Sequence, residues 1–375
     1  MKSTTVPTLS LLEKLGLGVK ILLVPATIVG ILIRGLPLAI KHKIPLNLWF
    51  TCMVGRILLS NFNPRQIQFL SASTIDIYTA WVKKQRDQGH HTRLNIDIEP
   101  LTDTDASIMW IGNRKKASKF VLFLHGGGYV SPPLPGHFTW CWEAYVDGGP
   151  GVETEVAVAF LQYTLAPGGK YPDQLRQASA ALNQLLQGGV NPRDLIVGGD
   201  SAGGNLTAQL AYHLLHPNPA VPEVKLPSPL AGMFLVSPWL SDRTDTSSFK
   251  EYGNVDMLFA GLLQRTSVHS FRDEDLKPKV NEAHPSLPMD GDLSWLSDLP
   301  AITRALYVTV GGREVFCDAV VEFGKAAQEK CRSIPVLFEV GERECHDFIL
   351  IENQAEVVGD ATERMRKWAS GILVD

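Results

Sequence analysis

Gly199-Asp200-Ser201-Ala202-Gly203 sets a serine among small residues, directly after the apolar run Leu195 to Val197 and ahead of a helix-compatible stretch from Asn205 to His216. A serine on so tight a strand-to-helix turn is held in a strained backbone conformation with its hydroxyl clear of the sheet. Glycines at its flanks let strand and helix approach closely, and the helix turns its first N–H groups toward any negative charge that develops there. The chemistry this suits is nucleophilic attack on a carbonyl carbon. A glycine-rich turn with an incidental serine would give the same five letters, so a second motif matters. His125-Gly126-Gly127-Gly128 directly follows another apolar run, Phe120 to Leu124. Bare glycines there can bring backbone donors against a carbonyl oxygen. Gly127 and Gly128 are the favoured donors of an oxyanion hole with the Ala202 N–H, Gly126 a close competitor, and each such donor is worth on the order of 3 kcal/mol to the transition state.

A serine hydroxyl needs an adjacent base with a pKa near 7. The chain has 10 histidines. Where a serine sits on such a turn, the partners follow it in the order acid, then histidine. His346 meets that order, in the loop beyond the apolar run Val336 to Val340. His125 precedes the serine and reads as structural, and His269 and His284 read as surface residues. The acid should follow the run Ala305 to Val310: Glu314 is the first choice there, with Asp318, one turn further on, the alternative. It would fix the imidazole tautomer and stabilise the imidazolium. Asp347 is set aside because neighbouring side chains seldom fold back on one another.

The elements that must position these residues begin near residue 93. Leu94, Ile96 and Ile98 alternate with polar residues as in a half-buried strand. Ser107 to Ile111 reads as a second strand, and Phe120 to Leu124, Val156 to Tyr163, Leu195 to Val197, Leu230 to Val236, Ala305 to Val310 and Val336 to Val340 as strands buried on both faces. Helical stretches at 171–187, 201–216, 316–332 and 353–370 lie between them, so an α/β fold with a mostly parallel sheet and right-handed crossovers is expected. Residues 241–300 break the alternation and read as an insertion above the sheet. Residues 1–92 read as helices and not as a separate domain, leaving 93–375 as the catalytic domain.

With 375 residues, 45% apolar and 20% charged, the chain can build a large core. A net charge of −4 provides no field for a polyphosphate backbone, so nucleic acid is not expected as a partner. The cluster Arg114, Lys115, Lys116 and Lys119 reads as a solvated turn. Five separated cysteines argue against a zinc site or disulfide framework and for a reducing, intracellular location. The sequon at Asn205 falls on the helix after Ser201 and should stay unmodified. Residues 21–33 are nearly all apolar but fall short of the roughly 20 residues that span a bilayer. They are open to three readings: a signal anchor, an interfacial helix (residues 21–40 at a membrane surface) or a helix covering the active site. Cytoplasmic and endoplasmic-reticulum-associated locations both stay open, as does a homodimer.

These motifs resemble those of hormone-sensitive-lipase-like esterases of the α/β-hydrolase superfamily, a group that includes arylacetamide deacetylases and fungal steryl acetyl hydrolases. The resemblance covers roughly residues 93–375. It rests on His125-Gly126-Gly127-Gly128-Tyr129, on Tyr163-Thr164-Leu165-Ala166-Pro167 with Tyr171-Pro172, on Gly199 to Asn205, and on Ser237-Pro238-Trp239-Leu240. The chain departs from the group at Glu314, where aspartate is usual, and at Thr164 and Gly168, while Asp318 matches the final aspartate of the same stretch. The resemblance implies an α/β-hydrolase fold capped by the N-terminal helices and the 241–300 insertion. The serine, base and oxyanion residues themselves lead to the expectation of a serine esterase that acts through an acyl-enzyme and needs no metal or cofactor. The apolar N-terminus suggests a lipophilic substrate, such as a short-acyl or acetyl ester of a lipophilic small molecule. Tyr129, Trp239 and Phe249 are candidate pocket walls or simply packing. An acyltransferase with the same triad and a catalytically silent receptor are the alternatives.

Overall fold

A computed structural model describes residues 7–90, 93–271, 285–354 and 358–374. Within them lies one eight-stranded sheet of strand order β1-β2-β4-β3-β5-β6-β7-β8. The strands are β1 (Ile98–Pro100), β2 (Ser107–Ile111), β3 (Lys119–Leu124), β4 (Val156–Gln162), β5 (Leu195–Asp200), β6 (Gly232–Val236), β7 (Leu306–Gly311) and β8 (Val336–Gly341). β2 runs antiparallel to both β1 and β4, and every pair from β4 to β8 is parallel.

Helices cover both faces, as a parallel sheet requires. The helices over residues 1–90 are α1 (Leu11–Lys41), α2 (Leu46–Asn61), α3 (Pro64–Leu70) and α4 (Thr74–Gln85). They are followed by α5 (Pro135–Cys141), α6 (Asp173–Gln187), α7 (Ser201–Leu215), α8 (Ser247–Tyr252), α9 (Ala260–Phe271), α10 (Cys317–Lys330), α11 (Phe348–Gln354) and α12 (Asp360–Leu373). The period of two along the strands decides what each face meets. Leu122 and Leu124 of β3 pack with Leu182 of α6, Leu206 of α7 and Phe323 of α10. Val121 and Phe123 pack with Tyr78 of α4, Phe138 of α5 and Met365 of α12.

Three expectations are corrected. The first strand begins at Ile98 and not near Leu94. Leu94 is buried without being in a strand, because the chain there is tied down by a side chain: Tyr78 Oη donates to the Trp110 and Asn95 carbonyls and accepts from Asp97 N. The expected helix 353–370 is two helices, α11 starting at Phe348 and α12 at Asp360 with Gly359 at its N-cap. The 13-residue apolar run 21–33 is the middle of α1, 31 residues long. Ser10 starts that helix, its hydroxyl accepting from Glu13 N and its N–H donating to Glu13 Oε2. The helix extends that run at both ends, from Leu11 to Lys41, and is long and apolar enough to cross a membrane; only Leu17, Gly35 and Ala39 of it are buried.

The insertion contributes α8 and α9 and packs on α2. Trp49 Nε1 and Arg56 donate to the carbonyls of Val255 and Gly253. Gln68 Nε2 of α3 donates to Val130 O and Ala166 O, beside the glycine motif. The basic turn is paired more than solvated: Arg114 bridges Asp97 and Glu99, and Lys119 meets Asp194.

Tyr78→Phe removes a hydrogen-bond partner from the buried Trp110 carbonyl and from the half-buried Asp97 N–H and Asn95 carbonyl. The urea midpoint should fall by the equivalent of about 1–2 kcal/mol, with an unchanged m-value; an unaltered midpoint would contradict this account of how residues 95–97 are held.

Candidate active site

Five parallel strands end on one edge of the sheet, and each delivers one part of the site there. β3 leads into the His125–Gly128 loop, β5 into Ser201, β6 into Ser237, β7 into Glu314 and β8 into His346. Ligands of open α/β sheets gather outside the carboxyl ends of such strands.

Ser201 is the first residue of α7, with φ 49°, in the left-handed region that L-residues seldom occupy. Its Oγ lies 2.9 Å from His346 Nε2. His346 Nδ1 lies 3.2 Å from Glu314 Oε1. The second Glu314 oxygen accepts from Ser237 Oγ at 2.6 Å and from Gly311 N at 2.9 Å. Glu314 and His346 are buried, and Ser201 is 6% exposed. A carboxylate on one imidazole nitrogen favours the Nδ1–H tautomer and leaves Nε2 to accept from the serine. The arrangement can therefore pass a proton from hydroxyl to imidazole.

Asp318 stands elsewhere: its Oδ2 accepts from Ser248 N at 2.9 Å, and its own N–H donates to Ser248 Oγ. It anchors α8 to α10 and does not meet His346.

The glycine loop separates the three candidate donors. Gly126 N donates to Asp200 Oδ1 at 2.9 Å, so it is not free for a substrate oxygen, a correction to its place among the expected donors. Gly127 and Gly128 have φ of 100° and 60°, conformations that glycine alone adopts readily. Among the described residues their N–H groups and that of Ala202 have no acceptor. His125 Nδ1 contacts Gly126 O at 2.7 Å, and its ring stacks on Tyr163 at 4.2 Å. Burial pushes its pKa down to about 3, so it remains neutral.

Tyr129 and Trp239 are buried and join Phe271 of α9 in an aromatic cluster with centroid separations of 5.1–6.5 Å. Tyr129 Oη donates to Asn205 Oδ1 at 2.6 Å, and Trp239 N donates to Ser201 O at 2.9 Å. Phe249 is buried on α8 in the main core. His269 lies half-buried on α9; His284 lies outside the described residues.

Sequence reasoning missed four groups around this centre. Ser237, the donor to Glu314, opens the stretch Ser237-Pro238-Trp239-Leu240, and nothing in that pattern marks its hydroxyl. His137 Nε2 is 3.3 Å from Asp200 Oδ2, both buried. Burial lowers the His137 pKa, but the Asp200 carboxylate outweighs it, and the net shift is upward. Asp256 accepts from Val315 N at 2.8 Å. Asp347, set aside on adjacency, does fold back: its Oδ2 lies 3.1 Å from His346 Nε2. Its φ of 55° turns the side chain toward the preceding ring. Among the described residues no group of three or more His, Cys, Asp or Glu side chains could hold a metal ion.

A family model described as alpha/beta hydrolase fold matches residues 121–350. The chain belongs to this family. Among its relatives, an esterase of Acinetobacter venetianus is 24% identical over 62% of this chain and 69% of its own length. An arylacetamide deacetylase of Mus musculus is 25% identical over 54% of this chain and 55% of its own. A thermostable esterase of Pseudomonas putida has a similar structure, with TM-score 0.64 and 18% identity over 88% of this chain and 97% of its own. An esterase of the bacterial hormone-sensitive lipase family superposes with TM-score 0.60 and 20% identity over 88% of this chain and 99% of its own. The resemblance to hormone-sensitive-lipase-like esterases holds, and carboxylic ester hydrolysis is the reaction class these relatives support for the α/β-hydrolase.

Burial raises Asp256 from 3.8 to about 6. The folded state thus holds this proton more tightly than the unfolded chain. Its contribution to stability falls as pH rises from about 4 to about 6, and the full cost of the buried charge is present above that. Asp256→Asn keeps an oxygen for Val315 N and removes the charge. It should raise thermal stability above pH 6, by the equivalent of about 3 kcal/mol, and change little near pH 4. Equal melting temperatures at neutral pH would refute it.

Proposed function

We propose that this α/β-hydrolase is a serine esterase that cleaves a short-acyl ester of a lipophilic alcohol through an acyl-enzyme. The observation that carries the reading is the unbroken chain from Ser201 Oγ to His346 to Glu314, with separations of 2.9 and 3.2 Å. Ser201 attacks the ester carbonyl carbon while His346 Nε2 takes its proton. The carbonyl oxygen becomes an oxyanion against the N–H groups of Gly127, Gly128 and Ala202. Collapse breaks the carbon–oxygen bond to the alcohol, which leaves with the proton from Nε2. Water, deprotonated by His346, then releases the acid. Glu314 holds the imidazole and balances the imidazolium, and Ser237 with Gly311 N keeps its carboxylate oriented.

The short acyl group is supported by two relatives: an ethyl acetate hydrolase of Pseudomonas putida and an acetyl-hydrolase of Streptomyces hygroscopicus. The insertion and the helices before β1 act as the cap, with Tyr129 and Trp239 beneath it. The lipophilic alcohol and a membrane-surface location rest on α1, where Leu12, Leu22 and Ile33 are among many exposed apolar side chains.

Ser201→Ala should abolish labelling by a fluorophosphonate and reduce turnover of p-nitrophenyl acetate by roughly 10⁴–10⁶-fold. Glu314→Gln should lose about 10³–10⁴-fold and Asp318→Asn little. Turnover lost in Asp318→Asn but kept in Glu314→Gln would assign the acid wrongly, and wild-type protein that the probe never labels would favour a silent receptor. A chain starting at Lys43 should leave the membrane fraction for the supernatant, and equal partition of both forms would remove α1 as the anchor.

A further inference from the structure

We infer that Asp347 is a positioning residue for the base, a second carboxyl group on the His346 imidazole at the nitrogen that faces Ser201. This rests on the Ser201–His346–Glu314 reading above. The geometry is unusual in that one ring meets three groups. Glu314 Oε1 is 3.2 Å from Nδ1, while Ser201 Oγ at 2.9 Å and Asp347 Oδ2 at 3.1 Å share Nε2. Asp347 reaches that nitrogen because φ of 55° reverses the direction its side chain would take in an extended or helical backbone. Its Oδ1 is buried and has no partner among the described residues, and its N–H faces Ser237 Oγ at 3.5 Å. The carboxyl group is thus committed to the ring.

Other titratable groups face this pair from each packed element. Glu314 comes from the loop after β7 and Asp200 from the end of β5. His137 of α5 lies against Asp200, and Asp256 comes from the segment after α8. Burial first, then Asp200 and Glu314, pushes the Asp347 carboxyl up to about 7 against the opposing pull of His346. Burial lowers His346, but Asp347 and Glu314 outweigh it and raise the imidazole well above its ordinary value.

One proton is consequently shared between Asp347 and Nε2 near neutral pH, and the two titrate as a pair. Either a carboxylate faces an imidazolium, or a neutral carboxyl donates to Nε2 in competition with the Ser201 hydroxyl. Both forms withhold the nitrogen lone pair from the serine. The base is released only as that proton departs, which places the onset of activity at higher pH than an isolated imidazole would. During acyl transfer the Oγ–H bond breaks as Nε2–H forms, and the carboxylate steadies the imidazolium. That proton then passes to the departing alkoxide as the carbon–oxygen bond breaks.

The test follows kcat/KM for p-nitrophenyl acetate against pH. It also follows the NMR titration of the His346 ring in ¹³C-histidine protein, assigned by the signal missing from His346→Gln. Asparagine and glycine both tolerate the left-handed backbone, so Asp347→Asn and Asp347→Gly are the variants. In wild type, ring and acid limb should both titrate above the ordinary imidazole value of about 6.5. In both variants they should move together to lower pH, each unit reading as about a tenfold gain in kcat/KM on the acid limb. A purely structural Asp347 would leave them in place. Limbs unmoved or shifted upward would overturn the inference. So would a wild-type ring titrating at or below the ordinary value, a result that does not depend on either variant folding. Protein that never cleaves the ester but whose ring titration moves as described would sink the esterase reading alone.

Discussion

The molecule is organised around one bend. Between β5 and α7 the chain reverses within a single residue, Ser201, whose φ of 49° is of a kind that costs on the order of 1–3 kcal/mol for a residue with a side chain. The surrounding packing over-determines it. A Cβ on Gly199 or on Gly203 would run into the carbonyl of Leu124, so both glycines serve as spaces into which β3 fits. That same approach brings the end of β3, and with it Gly127 and Gly128, alongside Ser201. The site is therefore a consequence of strand–helix packing as much as of the residues that face the substrate.

Around the bend the protein buries an unusual amount of charge. Asp200, Asp256, Glu314, His137, His346 and Asp347 are all less than a tenth exposed. Burying ionised groups costs several kcal/mol each unless geometry restores the lost hydration. The compensation is uneven. Glu314 has partners on both oxygens, whereas Asp256 and Asp347 each have one oxygen without a partner among the described residues. A substrate site tolerates such a deficit because charge must move there during reaction, and poorly solvated carboxyls shift pKa values of their neighbours strongly.

The helices before β1 bind this centre to a very different surface. α2 holds the insertion and α3 the glycine loop through side-chain-to-carbonyl hydrogen bonds, including those of Gln68 to Val130 and Ala166. α1 instead turns most of its apolar side chains outward. Contiguous exposed apolar surface of this extent is uncommon on soluble proteins and marks interaction sites.

Local pattern determined much. Period-two and continuous apolar runs marked six of the eight strands to within two residues, since a buried parallel strand has few alternatives to such a run; β5 runs three residues past its apolar part, through Gly198 and Gly199 to Asp200. The serine turn, the glycine loop and the placing of Glu314 and His346 in the loops after β7 and β8 were legible because they are statements about backbone conformation and connectivity. Other features belonged to the tertiary structure. The choice between Glu314 and Asp318 depended on which carboxylate reaches across from β7 to the loop after β8. Gly126 lost its place among the free donors because Asp200, 74 residues away in sequence, takes its N–H. Asp347 could be recognised at His346 only once its backbone sign was known, because adjacency in sequence says nothing of φ. Nor could the length of α1 be read from its apolar centre, for the turns that extend it begin at a cap and carry polar residues.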